Sequence, residues 1–234
     1  MINYNDIIAY NKMRRNGSYP INIEYEKILK ARYNKNERIK QHIVYGLTHY
    51  KRAYFATFTF NDTFINKCDR TQRDAIKSPL KSFCIEYILN VDYGTETERK
   101  HYHAILFLND DLEKITTKEK HYNKKQKRYI DLLVNLPGYN AGFSSFEPIG
   151  NTKEDIQRLK KYINKLSNHC TKDTTANRIV FSFKAYDDLF LMPKNVKMSK
   201  REYKGTLHHV KMINKLHYFE DSKKLGLYDN LSIK

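Results

Sequence analysis

The sequence predicts an α+β fold: a mainly antiparallel five-stranded sheet with helices packed on it, flanked by helical N- and C-terminal extensions. Three observations predict it. Short runs rich in β-branched and aromatic residues recur between polar turns at residues 53–60, 82–93, 100–108, 142–149 and 178–186. The second and third runs are joined by the polar stretch "GTETER" (94–99), which makes them a β-hairpin. The segment 152–169, "TKEDIQRLKKYINKLSNH", repeats apolar residues at helical spacing behind a threonine cap.

Taken in order, residues 1–50 read as a basic, partly helical N-terminal extension. Ile28, Leu29, Tyr33, Ile39, Ile43, Val44 and Leu47 recur loosely at helical spacing among lysines and arginines. The run "AYFATFTF" (53–60) is the first strand. A turn and helix follow, expected to stop near Pro79, where the ring removes a backbone donor. The hairpin 82–108 comes next. The charged span 110–126, running into "RYIDLLVNL", reads as a helix or as a basic loop and helix. The fourth strand is "GFSSFEPI" (142–149). In the helix 152–169, Thr152 caps the N-terminus, Glu154 and Asp155 suit the positive end of the dipole, and lysines follow. The fifth strand is "RIVFSFKAY" (178–186), and a basic, helical extension occupies 191–234. The central domain is therefore placed at 51–190.

The composition narrows the function classes. Hydrophobic residues make up 40% and aromatics 13% of 234 residues, enough to bury a core. Lys and Arg outnumber Asp and Glu by 43 to 26, and the resulting +17 predicts a polyanionic partner, most simply nucleic acid. Cys68, Cys84 and Cys170 are odd in number and far apart, which fits free thiols and neither a disulfide framework nor a zinc knuckle. The first ten residues lack a charged-then-apolar leader and no apolar run nears 18 residues, so a cytoplasmic chain that does not engage a membrane is expected. No GxxxxGK[ST] loop occurs, which argues against a built-in ATPase or helicase and against a bound small-molecule cofactor of that kind.

The chemistry concentrates on the third strand. His101 and His103 are two apart, so on a strand they share a face and converge on one cation. Alone the pair is a weak signal in a chain with nine histidines. Across the hairpin, a turn centred on residues 95–98 puts Asp92 opposite His101 on the same face. Two imidazoles and a carboxylate suit Mg²⁺ or Mn²⁺ with positions left open. Glu86 shares that face but lies six residues back. On the helix 152–169, Ile156, Leu159, Ile163 and Leu166 form the packing stripe, Tyr162 sits at its edge, and Lys165 follows three residues on.

In this order, the segments resemble the HUH endonucleases, and among them the replication initiator (Rep) proteins of rolling-circle plasmids and small single-stranded DNA phages of the microvirus type. "FATFTFND" (55–62) is similar to the family's first motif, "VDYGTETERKHYHAILF" (91–107) to its second, and "GFSSFEPI" with "RLKKYINKL" to its third. The resemblance spans roughly residues 53–186. It implies a ferredoxin-like sheet and a divalent metal, Mg²⁺ or Mn²⁺, on His101, His103 and Asp92. It further implies Tyr162 as nucleophile with Lys165 beside it. The DNA contacts implied are Thr57, Thr59 and Asn61 in the first motif, and Arg99, Lys100 and Lys161 among the basic residues. The third ligand is more often Glu in relatives, and Leu166 stands where some phage initiators have a second tyrosine, making this a single-tyrosine version.

The implied activity is nicking and rejoining of single-stranded origin DNA through a covalent 5′-phosphotyrosine, leaving a 3′-hydroxyl primer. Host helicase and polymerase would then be partners. Two alternatives stand beside it: a single-tyrosine transposase of the same chemistry, and a non-enzymatic nucleic-acid-binding regulator that uses the sheet as a stacking platform.

Overall fold

The computed structural model describes residues 23–83, 86–93, 99–123, 127–150, 155, 157–159, 179–183, 185–186 and 197–226. Its centre is one antiparallel sheet of seven strands: β1 (Arg52–Thr59), β2 (Glu86–Tyr93), β3 (Lys100–Leu108), β4 (Thr117–Asn123), β5 (Arg128–Val134), β6 (Ser144–Pro148) and β7 (Val180–Phe181). Their order across the sheet is β4-β5-β6-β1-β3-β2-β7. Four α-helices are described: α1 (Ile23–His49), the short α2 (Asp62–Ile65), α3 (Asp69–Phe83) and α4 (Lys200–Lys224).

The sequence of β3 explains the layering. Ala104 to Leu108 is apolar without alternation and wholly buried, which requires a strand covered on both faces. On one face Tyr102, Ala104 and Leu106 join Tyr54, Ala56, Phe58, Leu89, Val91 and Phe146, closed over by Ile76 and Leu80 of α3. On the other, Ile105 and Phe107 join Ala53, Ile88 and Leu159 beneath Ile39 and Ile43 of α1. Helix α1 approaches β3 closely because residue 46 is glycine: a Cβ there would lie 2.3 Å from the Phe107 ring. Helix α4 is closed at its N-terminus by a Ser199–Glu202 capping box. It packs on α1 through Val44, Tyr186 and Tyr218.

The α+β class and the antiparallel hairpin are as the sequence predicts; four details differ. The sheet has seven strands, not five. The span expected to be helical beyond residue 110 is a second hairpin, β4–β5, after a single 3₁₀ turn at Leu112–Lys114. Helix α3 runs through Pro79 to Phe83 instead of stopping there. Pro79 is buried, and its neighbours Ile76 and Leu80 pack into the sheet core; that packing outweighs the missing backbone donor. Among the described residues of the fifth expected strand, 178–186, those in a strand are the two of β7, which pair with Ile88 and Leu89. Among the described residues, no helix is long and apolar enough to cross a membrane.

Candidate metal centre

The β2–β3 hairpin sets the site by register. Asp92 pairs with His101 and Asn90 with His103. On the other side of β3, Thr59 pairs with His101 and Thr57 with His103. Neighbours in register point to the same face, so Asp92, His101, His103 and Thr57 meet on the side of the sheet that α1 covers further along. Tyr102 points the opposite way and is 3% exposed in the core. Burial pushes its hydroxyl well above the ordinary tyrosine range.

The three ligand groups converge. Asp92 Oδ2 lies 3.6 Å from His101 Nε2 and 3.2 Å from His103 Nε2. The two Nε2 atoms are 3.1 Å apart. Ligand atoms about 2.1 Å from one ion stand about 3.0 Å apart at adjacent octahedral corners and about 3.4 Å apart in a tetrahedron. The observed triangle fits a single cation in either geometry. Asp92 is 3% exposed at its side chain, against 18% for His101 and 23% for His103. The carboxylate thus forms the floor and the imidazoles the rim.

The next shell orients these donors. His101 Nδ1 lies 3.1 Å from the Arg99 carbonyl, so this nitrogen carries the proton and donates it. Its Nε2 is then an unprotonated lone pair directed into the triangle. His103 Nδ1 lies 3.2 Å from Thr57 Oγ1, a hydroxyl that accepts or donates as the tautomer requires. The Tyr93 amide donates to Asp92 Oδ1 at 2.9 Å, which leaves Oδ2 for the cluster. Two imidazole lone pairs and a buried carboxylate oxygen within 4.8 Å repel one another unless a proton or a metal sits between them. The donor set therefore fits a divalent cation.

The other expected site residues fall as follows. Thr59 Oγ1 donates to the Phe143 carbonyl. Asn61 caps α2, its Oδ1 accepting from the Phe64 amide. Arg99 donates to the Phe60 carbonyl at 2.6 Å and to Asp62 at 3.2 Å, tying the hairpin to the turn after β1. Lys100 lies on the α3 side of the sheet and forms an ion pair with Asp69, so its charge is matched within the fold. Lys161, Tyr162 and Lys165 lie outside the described residues. The helical residues just before them are described: Leu159 packs with Ile88 and Ile105 on the histidine face. Arg158 stacks over Phe55 on that face and pairs with Glu147 at 2.5 Å.

Sequence reasoning took Thr57 as a DNA contact and missed its bond to His103. The signal that finds it is the lateral register of β1 on β3, which a single strand motif does not carry. Comparison with family models, with curated proteins and with solved structures finds no match to this chain.

Proposed function

We propose that this chain is a metal-dependent nicking and joining enzyme for single-stranded DNA, a replication initiator that acts through a covalent 5′-phosphotyrosine. The observation that carries the reading is the convergence of His101, His103 and Asp92 on a sheet face that also receives the helical residues leading to Tyr162. Excess positive charge, 43 basic against 26 acidic residues, supports a polyanionic substrate.

His101, His103 and Asp92 would hold the cation. When bound, a divalent ion supplies charge neutralisation to a phosphate oxygen. The protein's part is to aim both Nε2 atoms, through the Nδ1 contacts to the Arg99 carbonyl and the Thr57 hydroxyl. The Tyr162 hydroxyl attacks phosphorus; its new P–O bond forms as the P–O3′ bond breaks, and the phenolic proton leaves while the 3′-oxygen gains one. Lys165 stabilises the developing phenolate. Because a phosphodiester is exchanged for a phosphotyrosine ester, the bond is conserved, and rejoining by the 3′-hydroxyl needs no nucleotide triphosphate.

The test is a labelled single-stranded oligonucleotide bearing the cognate origin, incubated with Mn²⁺. A denaturation-resistant protein–DNA adduct is expected, with Tyr162→Phe abolishing it and leaving binding within about twofold. Adduct formation by Tyr162→Phe at the wild-type rate would remove the assigned nucleophile. Absence of any adduct on the origin strand would remove the enzymatic reading.

A further inference from the structure

The second hairpin is the element that this function does not use. Strands β4 and β5 pair along their full length, from Thr117 with Val134 to Asn123 with Arg128. Strand β5 pairs with β6 only through Leu133 and Val134. The five residue pairs beyond, from Glu119–Leu132 outward, form a two-stranded ribbon about 17 Å long that leaves the sheet. A free two-stranded ribbon is marginal in water, so its persistence calls for a role.

The hairpin is unusual in two ways. Residues 117–134 contain six Lys or Arg against one Glu and one Asp. Directly opposed near the tip, Tyr122 and Tyr129 are 47% and 70% exposed, with ring centroids 5.3 Å apart and edges packed on faces. Lysines on an edge strand are a common guard against strand addition. That guard does not account for two large aromatic side chains held in solvent. Lys118 pairs with Asp131 at 3.4 Å; Lys120 and Lys127 are exposed.

We propose that the β4–β5 ribbon is a second nucleic-acid contact, one that enters the major groove of duplex DNA. A two-stranded ribbon fits that groove, about 12 Å wide. The tyrosine rings are engaged with each other, which leaves their hydroxyls, together with the lysines, as donors to phosphates and base edges and disfavours stacking with unpaired bases. Tyr122, Tyr129, Lys118 and Lys120 share a face with Leu133, which belongs to the core on the α3 side. They therefore lie on the face opposite the histidines. Three strand spacings separate β5 from β3, about 14 Å, and the ribbon runs toward the Leu108 end of β3. The DNA it takes is thus a duplex flank and not the strand at the histidines.

The choice of DNA over other polyanions rests on the function proposed above, but binding through the ribbon requires neither the metal nor Tyr162. The experiment measures fluorescence anisotropy of full-length protein with a 20-base-pair duplex and with a single strand of the same sequence, across a salt series without metal. The Lys120→Gln/Lys127→Gln and Tyr122→Ala/Tyr129→Ala variants are compared with wild type, their melting temperatures confirming the fold. The lysine variant is expected to weaken duplex binding about tenfold and to lower the salt slope by about two. The tyrosine variant should weaken duplex binding at unchanged slope. Single-strand affinity should move less than twofold in both. Unchanged duplex affinity in both variants would overturn the proposal, and so would an equal or larger loss for the single strand. Adduct formation on a single-stranded origin, followed in the same variants, separates the outcomes: it persists if only the ribbon assignment fails, and is absent from wild type as well if the enzymatic reading fails.

Discussion

At the scale of single residues, the protein's chemistry is a matter of where protons reside. The Arg99 carbonyl commits His101 to one tautomer, and the Thr57 hydroxyl can accept the Nδ1 proton of His103 whenever its Nε2 binds a cation. Thr57→Val removes that hydroxyl while keeping shape, and is expected to weaken Mn²⁺ binding about 10- to 100-fold, as loss of outer-shell partners does elsewhere. Isothermal titration checks this, and an unchanged affinity would mean that Thr57 plays no part. Metal binding must also weaken on acidification, because each imidazole has to shed its proton before it binds.

Tyr54 and Asp111 give a second residue-scale prediction, on stability. Burial first, and then the Asp111 carboxylate, push the buried Tyr54 hydroxyl up to about 12, while the Tyr54 hydrogen bond holds Asp111 below the ordinary carboxylate range. The depressed carboxyl contributes stability above its ordinary range that is lost as pH falls. The raised phenol contributes stability below about 10 that is lost as pH rises toward about 12. Tyr54→Phe is expected to cost about 1 kcal/mol near neutrality. Its difference from wild type should narrow at both extremes in thermal melts.

At the scale of elements, legibility followed burial pattern. The β2–β3 hairpin was readable because counting outward from its turn puts Asp92 opposite His101, and the observed register does so. Strand β4 was not readable as the partner of β5, since β4 has no buried residue from Thr117 to Tyr122. Glu119 and His121 on one side and Lys118 and Lys120 on the other are all exposed, so no two-residue alternation exists to detect. Pro79 misled for the opposite reason: a local rule for ending helices yielded to packing that only the folded chain displays. For α1, Gly46 is the telling position. Gly46→Val forces a side chain into the Phe107 ring and is expected to destabilise the protein by about 1–3 kcal/mol. Chemical denaturation reads that loss, and a neutral result would show that α1 is free to lift from the sheet.

At the scale of the whole molecule, one sheet serves two jobs on its two faces. The α3 side is a closed apolar core, whereas the other is apolar under α1 and polar at the Asp92–His101–His103 end. The three residues that could hold a metal ion gather on that open end because the apolar residues of the same strands, Ile88, Ile105 and Phe107, are already buried beneath α1. A cation bound there cross-links β2 to β3. Mn²⁺ at about a hundred times its dissociation constant should therefore stabilise the fold by about 2.7 kcal/mol, read as a rise in melting temperature that Asp92→Ala lacks.

The most direct test of the central claim is manganese binding itself, followed by the loss of the free-ion electron paramagnetic resonance signal on titration. One Mn²⁺ per chain is expected for the wild-type protein, with binding at this site lost in His101→Ala and His103→Ala and the helical circular-dichroism signal retained. Equal, saturable binding of one ion by wild type and both variants would contradict the account.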